Sequence, residues 1–173
     1  GLGDVYKRQI YDRLRETYLR FGVCVGSDDA YLALRGLRTI GVRMRHHHAS
    51  GLQVANWLLE QPEVLRVMHP ALPQDPGHAL FRKYFTGASG LFGFVMKSVE
   101  HDALARMFDG FSLFGMGSSW GGYESLIVPS NPSVYRSATE WNPGGQTVRI
   151  HVGLEDPADL IDELRKGLDR LRA

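Results

Sequence analysis

Thr147-Val148-Arg149-Ile150-His151-Val152-Gly153-Leu154-Glu155-Asp156 is the stretch around which the chain arranges itself. Val148, Ile150 and Val152 alternate with Thr147, Arg149 and His151, the period of a strand with one buried face. Arg149 therefore stands on the opposite face. Gly153 breaks the strand, and Asp156-Pro157-Ala158-Asp159 reads as a helix start, with Asp156 as N-cap and Pro157 at the first helical position. Leu160, Ile161, Leu164, Leu168 and Leu171 then recur at helical spacing, so the last helix lays an apolar stripe on the sheet that carries Arg149. A guanidinium fixed on a packed strand clamps a carboxylate well, because its planar fork bonds both oxygens at once. The alternative is a strand arginine paired with a structural Glu or Asp.

Working outward, the pattern predicts helices and short strands. Ile10, Leu14, Tyr18 and Phe21 form one helical stripe that stops at Gly22. Ser27, followed by Asp28 and Asp29, opens a second helix that Gly36 interrupts. Leu37, Ile40, Met44, His48, Leu52, Ala55 and Leu59 continue a single stripe, predicting the longest helix over residues 37 to 60. Val64 to Met68 is a short strand, Pro70, Pro73 and Pro76 mark a loop, and a helix runs from His78 to Phe85. Leu91 to Met96 is strand-like, with Phe92, Phe94 and Met96 on one side, and Ser98 starts a helix closed by Gly110. Phe111 to Phe114 forms a further short strand, and Leu126 to Val128 resumes extended structure. The fold class is α+β, with helices packed on a small, mainly antiparallel sheet.

Composition sets the outer bounds. The 173 residues, 43% hydrophobic and 23% charged, fit an ordinary globular domain with a sizeable core. A net charge of +1 gives no electrostatic case for nucleic acid or a membrane surface as partner. With Cys24 as the single cysteine no internal disulfide forms, which suits a cytoplasmic location. No apolar run is long enough to span a membrane, and no signal sequence opens the chain. Residues Gly1 to Gln9 carry little apolar periodicity and are read as a scar outside the fold.

Several conspicuous features carry little chemistry. His46, His47 and His48 are successive on a helix and point about 100° apart, so they do not close on one metal; they read as a solvated or subunit-facing patch. Arg35, Arg38, Arg43 and Arg45 are balanced by acids and read as solvated or interface residues. Ser119 lies in Ser-Ser-Trp-Gly-Gly rather than Gly-x-Ser-x-Gly, which argues against a serine nucleophile. The turn GSSWGGYESL, Gly117 to Leu126, says more: its glycines let backbone amides approach a ligand while Trp120 supplies a flat wall, unless the indole simply plugs the core.

GSSWGGYESL, VRIHVGLEDPADLIDEL from Val148 and DDAYLALRGLRTIGVRMRHH from Asp28 closely resemble segments of the cystathionine beta-lyase branch of the pyridoxal-phosphate-dependent Cys/Met metabolism family. HPALP at His69 and TGASGLFGFV at Thr86 match in the same order, so the resemblance runs from about residue 11 to the end. It implies the C-terminal small domain of a fold type I enzyme, with residues 10–36 ending the large domain and residues 37–173 forming the substrate-carboxylate-binding domain. It further implies pyridoxal 5'-phosphate (PLP) as cofactor, held by a lysine in a Ser-x-Thr-Lys context. Lys7, Lys83, Lys97 and Lys166 do not stand in that context, so the resemblance implies a fragment inactive alone, without catalytic residues of its own.

On the family's pattern, Arg149 grips the substrate α-carboxylate, and Ser119 and Trp120 form the adjacent carboxylate-binding turn. Most relatives of other specificity have Leu where Trp120 stands, which points to the β-lyase branch. The implied reaction is cleavage of L-cystathionine to homocysteine, pyruvate and ammonia in methionine biosynthesis by a homotetramer acting on a small amino acid. A cysteine desulfhydrase or another carbon–sulfur lyase is the same-chemistry alternative, and a non-catalytic amino-acid-binding or interaction module the alternative of another class.

Overall fold

The computed structural model describes residues 8–172. The alternating stretch at Val148 forms β4 (Gln146–His151), placed between β2 (Leu91–Met96) and β3 (Leu126–Ser130). With β1 (Val64–Met68) outside β2, the sheet is four-stranded in the order β1-β2-β4-β3, and every pairing is antiparallel. Arg149 sits in the middle of the central pair, opposite Gly93 on one side and Val128 on the other. Both edges are irregular: β1 carries a register shift between Val64 and Arg66, and β3 places Pro129 opposite Val148.

Alternation puts Val148, Ile150 and Val152 on the same side as Phe92, Phe94 and Met96, and all six are buried. Three helices cover this side: the later turns of α2 (Ser27–Leu59), α4 (His101–Asp109) and α5 (Pro157–Arg170). Leu160, Leu164 and Leu168 of α5 join Val54, Ala55 and Leu58 of α2 and Met107 and Phe108 of α4 in one cluster with the strand residues. The start of α5 follows from its sequence, with Asp156 accepting the Ala158 N–H at 2.8 Å and Pro157 in the first turn. Among the described residues the remaining α-helices are α1 (Arg8–Arg20) and the short α3 (His78–Tyr84), with a single 3-10 turn at Pro132–Val134.

The chain divides into two compact units, Gly1–Ile40 and Gly41–Ala173. Gly36 does not interrupt a helix, since α2 is continuous over 33 residues. A lone helical glycine costs about 1 kcal/mol, too little to break helix between good formers such as Leu34 and Leu37. The residues 37–60 stripe is also displaced: Leu37, Ile40 and Met44 are exposed, and the buried side of α2 is His47, Ser50, Gly51, Val54, Ala55 and Leu58. Gly51 explains the displacement. A Cβ there would stand 3.2 Å from the Gly90 Cα, so the small-residue side makes the closest approach. Of residues 1–9, residues 1–7 lie outside the described residues, while Arg8 and Gln9 open α1.

Two further expectations are corrected. The helix expected at Ser98 begins at His101, because the Lys97 N–H still pairs with the Glu63 carbonyl at 2.8 Å and prolongs the extended chain. Phe111 to Phe114 is not a strand. The amides of Ser112, Leu113 and Phe114 donate to the carboxylate of Glu163 on α5 at 2.7 to 3.0 Å, and the Ser112 hydroxyl adds a bond at 2.7 Å. A buried carboxylate thus takes the donors a ladder would need. Burial opposes charge on Glu163, yet these donors outweigh it and hold the carboxyl below its ordinary value.

Candidate functional site

The side of β4 opposite Val148 and Ile150 carries Thr147, Arg149 and His151, and two irregular segments cover its ends, joined at the His151 end by His47 of α2. At one end the Trp141 indole N–H donates to the Thr147 hydroxyl at 3.0 Å, with the guanidinium groups of Arg66 and Arg136 over the ring at 5.2 and 4.7 Å. At the other, the turn from Gly117 to Leu126 folds over His151. Thr147 and His151 are consequently buried, whereas the alternating pattern alone put them on an open face. Arg149 lies half-buried between the two coverings.

The structure brings Arg149 and Ser119 together. One terminal guanidinium nitrogen, Nη2, donates to the carbonyls of Gly117 at 3.5 Å and Ser119 at 3.4 Å. Both bonds are long, so most of the donor capacity remains for a ligand. Among the described residues no carboxylate lies within ion-pair distance of Arg149, and the structural ion pair weighed as its alternative role does not form. Trp120 is 63% exposed, so the indole does not plug the core. Ser119 is exposed as well.

The turn is anchored from behind by residues that pattern reading passed over. Glu155 accepts the Ser125 N–H at 2.8 Å and its hydroxyl at 2.7 Å, while that hydroxyl accepts the Gly153 N–H at 2.8 Å. Gly153 is required for this closeness: a Cβ would fall 2.3 Å from the Tyr123 carbonyl. Gly121 has φ +83, a left-handed conformation that favours glycine, and its N–H reaches His151 Nε2 at 3.2 Å. His47, read as part of a solvated or subunit-facing patch, is buried within this chain. Its Nδ1–H donates to the Val152 carbonyl at 2.9 Å, and its ring centroid lies 5.3 Å from that of His151. The period-2 pattern already put His151 on Arg149's side; nothing in the sequence singled out His47 among its neighbours.

Electrostatically the site favours an anion. Burial first, and then His47 and Arg149, press the His151 imidazole below its ordinary value, against the Gly122 carbonyl and Glu155. A neutral imidazole therefore adjoins a guanidinium without an acidic partner. A largely apolar cleft of about 370 Å³, lined by Met44, His69, Leu80, Phe81, Phe85 and Leu91 among others, does not include Arg149 and has no Lys or Arg in its lining to hold a carboxylate.

The residues gathered at Arg149 do not fit PLP itself, which needs an amine for its carbonyl. Lys166 pairs with Asp162 at 2.7 Å, Lys83 lies over Tyr84 at 5.0 Å, and Lys97 follows β2 four residues beyond Gly93, roughly 13 Å along the strand. What the cluster fits is a small carboxylate. Among the described residues no group of His, Cys, Asp and Glu is placed to hold a metal ion. No described helix is long and apolar enough to cross a membrane.

The chain belongs to the Cys/Met metabolism PLP-dependent enzyme family, whose description matches residues 3–169. It is 47% identical over 171 residues to a cystathionine beta-lyase of Escherichia coli K12, covering 96% of this chain and 43% of that protein. An L-alanine/L-glutamate racemase of Wolbachia pipientis wMel is 43% identical over 165 residues, 94% of this chain and 41% of the racemase. Among solved structures, a cystathionine gamma synthase from Xanthomonas oryzae pv. oryzae, in complex with aminoacrylate and cysteine, superimposes with a TM-score of 0.80 at 29% identity, covering 95% of this chain and 43% of that one. The chain thus spans less than half the length of the curated relatives it matches.

Proposed function

We propose that the chain supplies the substrate-carboxylate clamp of a PLP-dependent carbon–sulfur β-lyase that cleaves L-cystathionine to homocysteine, pyruvate and ammonia in methionine biosynthesis. The observation that carries this reading is the half-buried Arg149 guanidinium, held loosely by the Gly117 and Ser119 carbonyls and unpaired with any described carboxylate. Arg149 binds the α-carboxylate through its planar fork, and Ser119 and Trp120 close the turn over it. Fixing that carboxylate fixes the α-carbon relative to whatever group removes its proton. That group is not among the residues around Arg149. The 47% identity with a cystathionine beta-lyase supports the substrate assignment, and the assembly proposed is the homotetramer.

The 43% identity with an alanine/glutamate racemase favours a second reading, in which the same clamp holds an amino acid whose α-proton is removed and returned without loss of the β-substituent. Product analysis separates them: pyruvate and a thiol from cystathionine support the lyase, and inverted amino acid alone supports the racemase. For either chemistry, Arg149→Lys keeps the charge and loses the fork. In the enzyme carrying the PLP-binding segment it should lower kcat/KM roughly ten- to a hundredfold, about 1.5 to 3 kcal/mol, and Arg149→Ala should lower it further. An Arg149→Ala enzyme within twofold of the parent, or one that loses activity only by unfolding, would show a purely structural arginine.

A further inference from the structure

His151 shares its strand side with Arg149, and the carboxylate clamp proposed above leaves its ring unused. Its Nε2 stands 3.2 Å from the Gly121 nitrogen and 3.2 Å from the Gly122 carbonyl oxygen. One ring nitrogen serves only one of these partners at a time: as a lone pair it accepts from Gly121, and as N–H it donates to Gly122. Its other nitrogen, Nδ1, is buried without a partner. Behind it His47, whose Nδ1–H is committed to the Val152 carbonyl, leaves its own Nε2 buried and unpartnered as an acceptor. With Nε2 of His151 accepting, the unpartnered nitrogens of the two rings are one donor and one acceptor.

The charged and titratable groups facing His151 are His47 from α2, Glu155 from the connection into α5, and Arg149 on β4 itself. Burial, the largest influence, favours the neutral ring; the Gly122 carbonyl and Glu155 favour a positive one, and His47 and Arg149 oppose it. The peptides in question belong to Gly121 and Gly122, directly after Ser119 and Trp120. A change of partner at His151 therefore exchanges which of these two peptides the ring holds, in the backbone that leads on from Ser119 and Trp120.

We propose that His151 is a positioning residue for the carboxylate-binding turn: its neutral ring accepts the Gly121 N–H and fixes Ser119 and Trp120 against Arg149, and a proton at Nε2 transfers the bond to the Gly122 carbonyl and re-poses the turn. This rests on the reading of Arg149 and its turn as the carboxylate clamp.

The test follows the Gly121 and Gly122 amide signals and the His151 ring signals of the 173-residue chain by NMR across pH. In the parent, the Gly121 amide should shift with the midpoint of the His151 ring. His151→Gln offers a carbonyl acceptor without a titrating proton, so it should retain Gly121 protection and abolish the pH-dependent shift. His151→Ala should raise Gly121 exchange roughly three- to tenfold. A Gly121 signal indifferent to His151 titration, or a glutamine variant as unprotected as the alanine one, overturns the proposal. In the PLP-bearing enzyme the KM of the parent should rise on acidification through the His151 midpoint, and that of His151→Gln should not follow. If Arg149→Ala leaves kcat/KM unaltered while Gly121 still tracks His151, the clamp reading falls by itself. If Arg149 matters and Gly121 ignores His151, the positioning role falls by itself.

Discussion

The units Gly1–Ile40 and Gly41–Ala173 carry the same kind of amphipathic pattern and meet opposite fates. In the first, none of the described residues is buried, and Tyr11, Leu14, Tyr18, Leu19 and Phe21 stand exposed along and just after α1. In the second, Val54, Ala55 and Leu58 of α2 are fully enclosed by the sheet and α5. Periodicity names the side of a helix that is apolar; it does not say whether this chain provides the cover. The first unit has exposed pairs such as Glu16 with Arg20 at 2.6 Å, each worth only about 0.3 to 0.5 kcal/mol, and a 13-residue helix is marginal without packing.

The largest effect should come from Phe94, which is fully buried at the centre of the second unit. Phe94→Ala should cost about 3 to 5 kcal/mol in urea unfolding of the chain, and a loss under 1 kcal/mol would deny that unit a packed core. Glu163→Gln comes next, at about 1.5 to 3 kcal/mol at neutral pH, because it weakens the charge-assisted bonds to residues 112–114. The folded carboxyl lies below its ordinary value of 4.5, so its contribution is present above that value and disappears as pH falls through the lowered folded value. The gap between parent and variant should therefore narrow in acid; a gap constant from neutrality down to strong acid would mean that charge is irrelevant there. Smallest should be Leu37→Ser on the exposed part of α2, within about 0.5 kcal/mol. A cost above 1 kcal/mol that grows with protein concentration would show that a second copy covers this face.

The same contrast governs how far the sequence could be read. β1, β2 and β4 and the start of α5 were legible because alternation and capping are local. The clamp role proposed for Arg149 rests on the resemblance, since a strand arginine has the same pattern with or without an acidic partner. Glu163 was not legible: it sits at a helix position that looks solvated, and its donors lie 49 to 51 residues away in sequence. Nor was the His47 and His151 contact, whose members are 104 positions apart and meet only when α2 packs close through Gly51. Small residues set distances of approach that hydrophobic patterning undervalues.

The two irregular sheet edges bear on what happens when the chain is concentrated. Pro129 on β3 has no N–H to offer another strand, and the displaced register around Arg66 spoils a regular docking line along β1. Fibril growth by strand addition is thus discouraged on both flanks, even though long apolar helix surfaces lie open. Clumping of this polypeptide should run through those helices, side chain against side chain, and remain reversible by mild detergent, with the Arg149 strand unaltered inside each molecule.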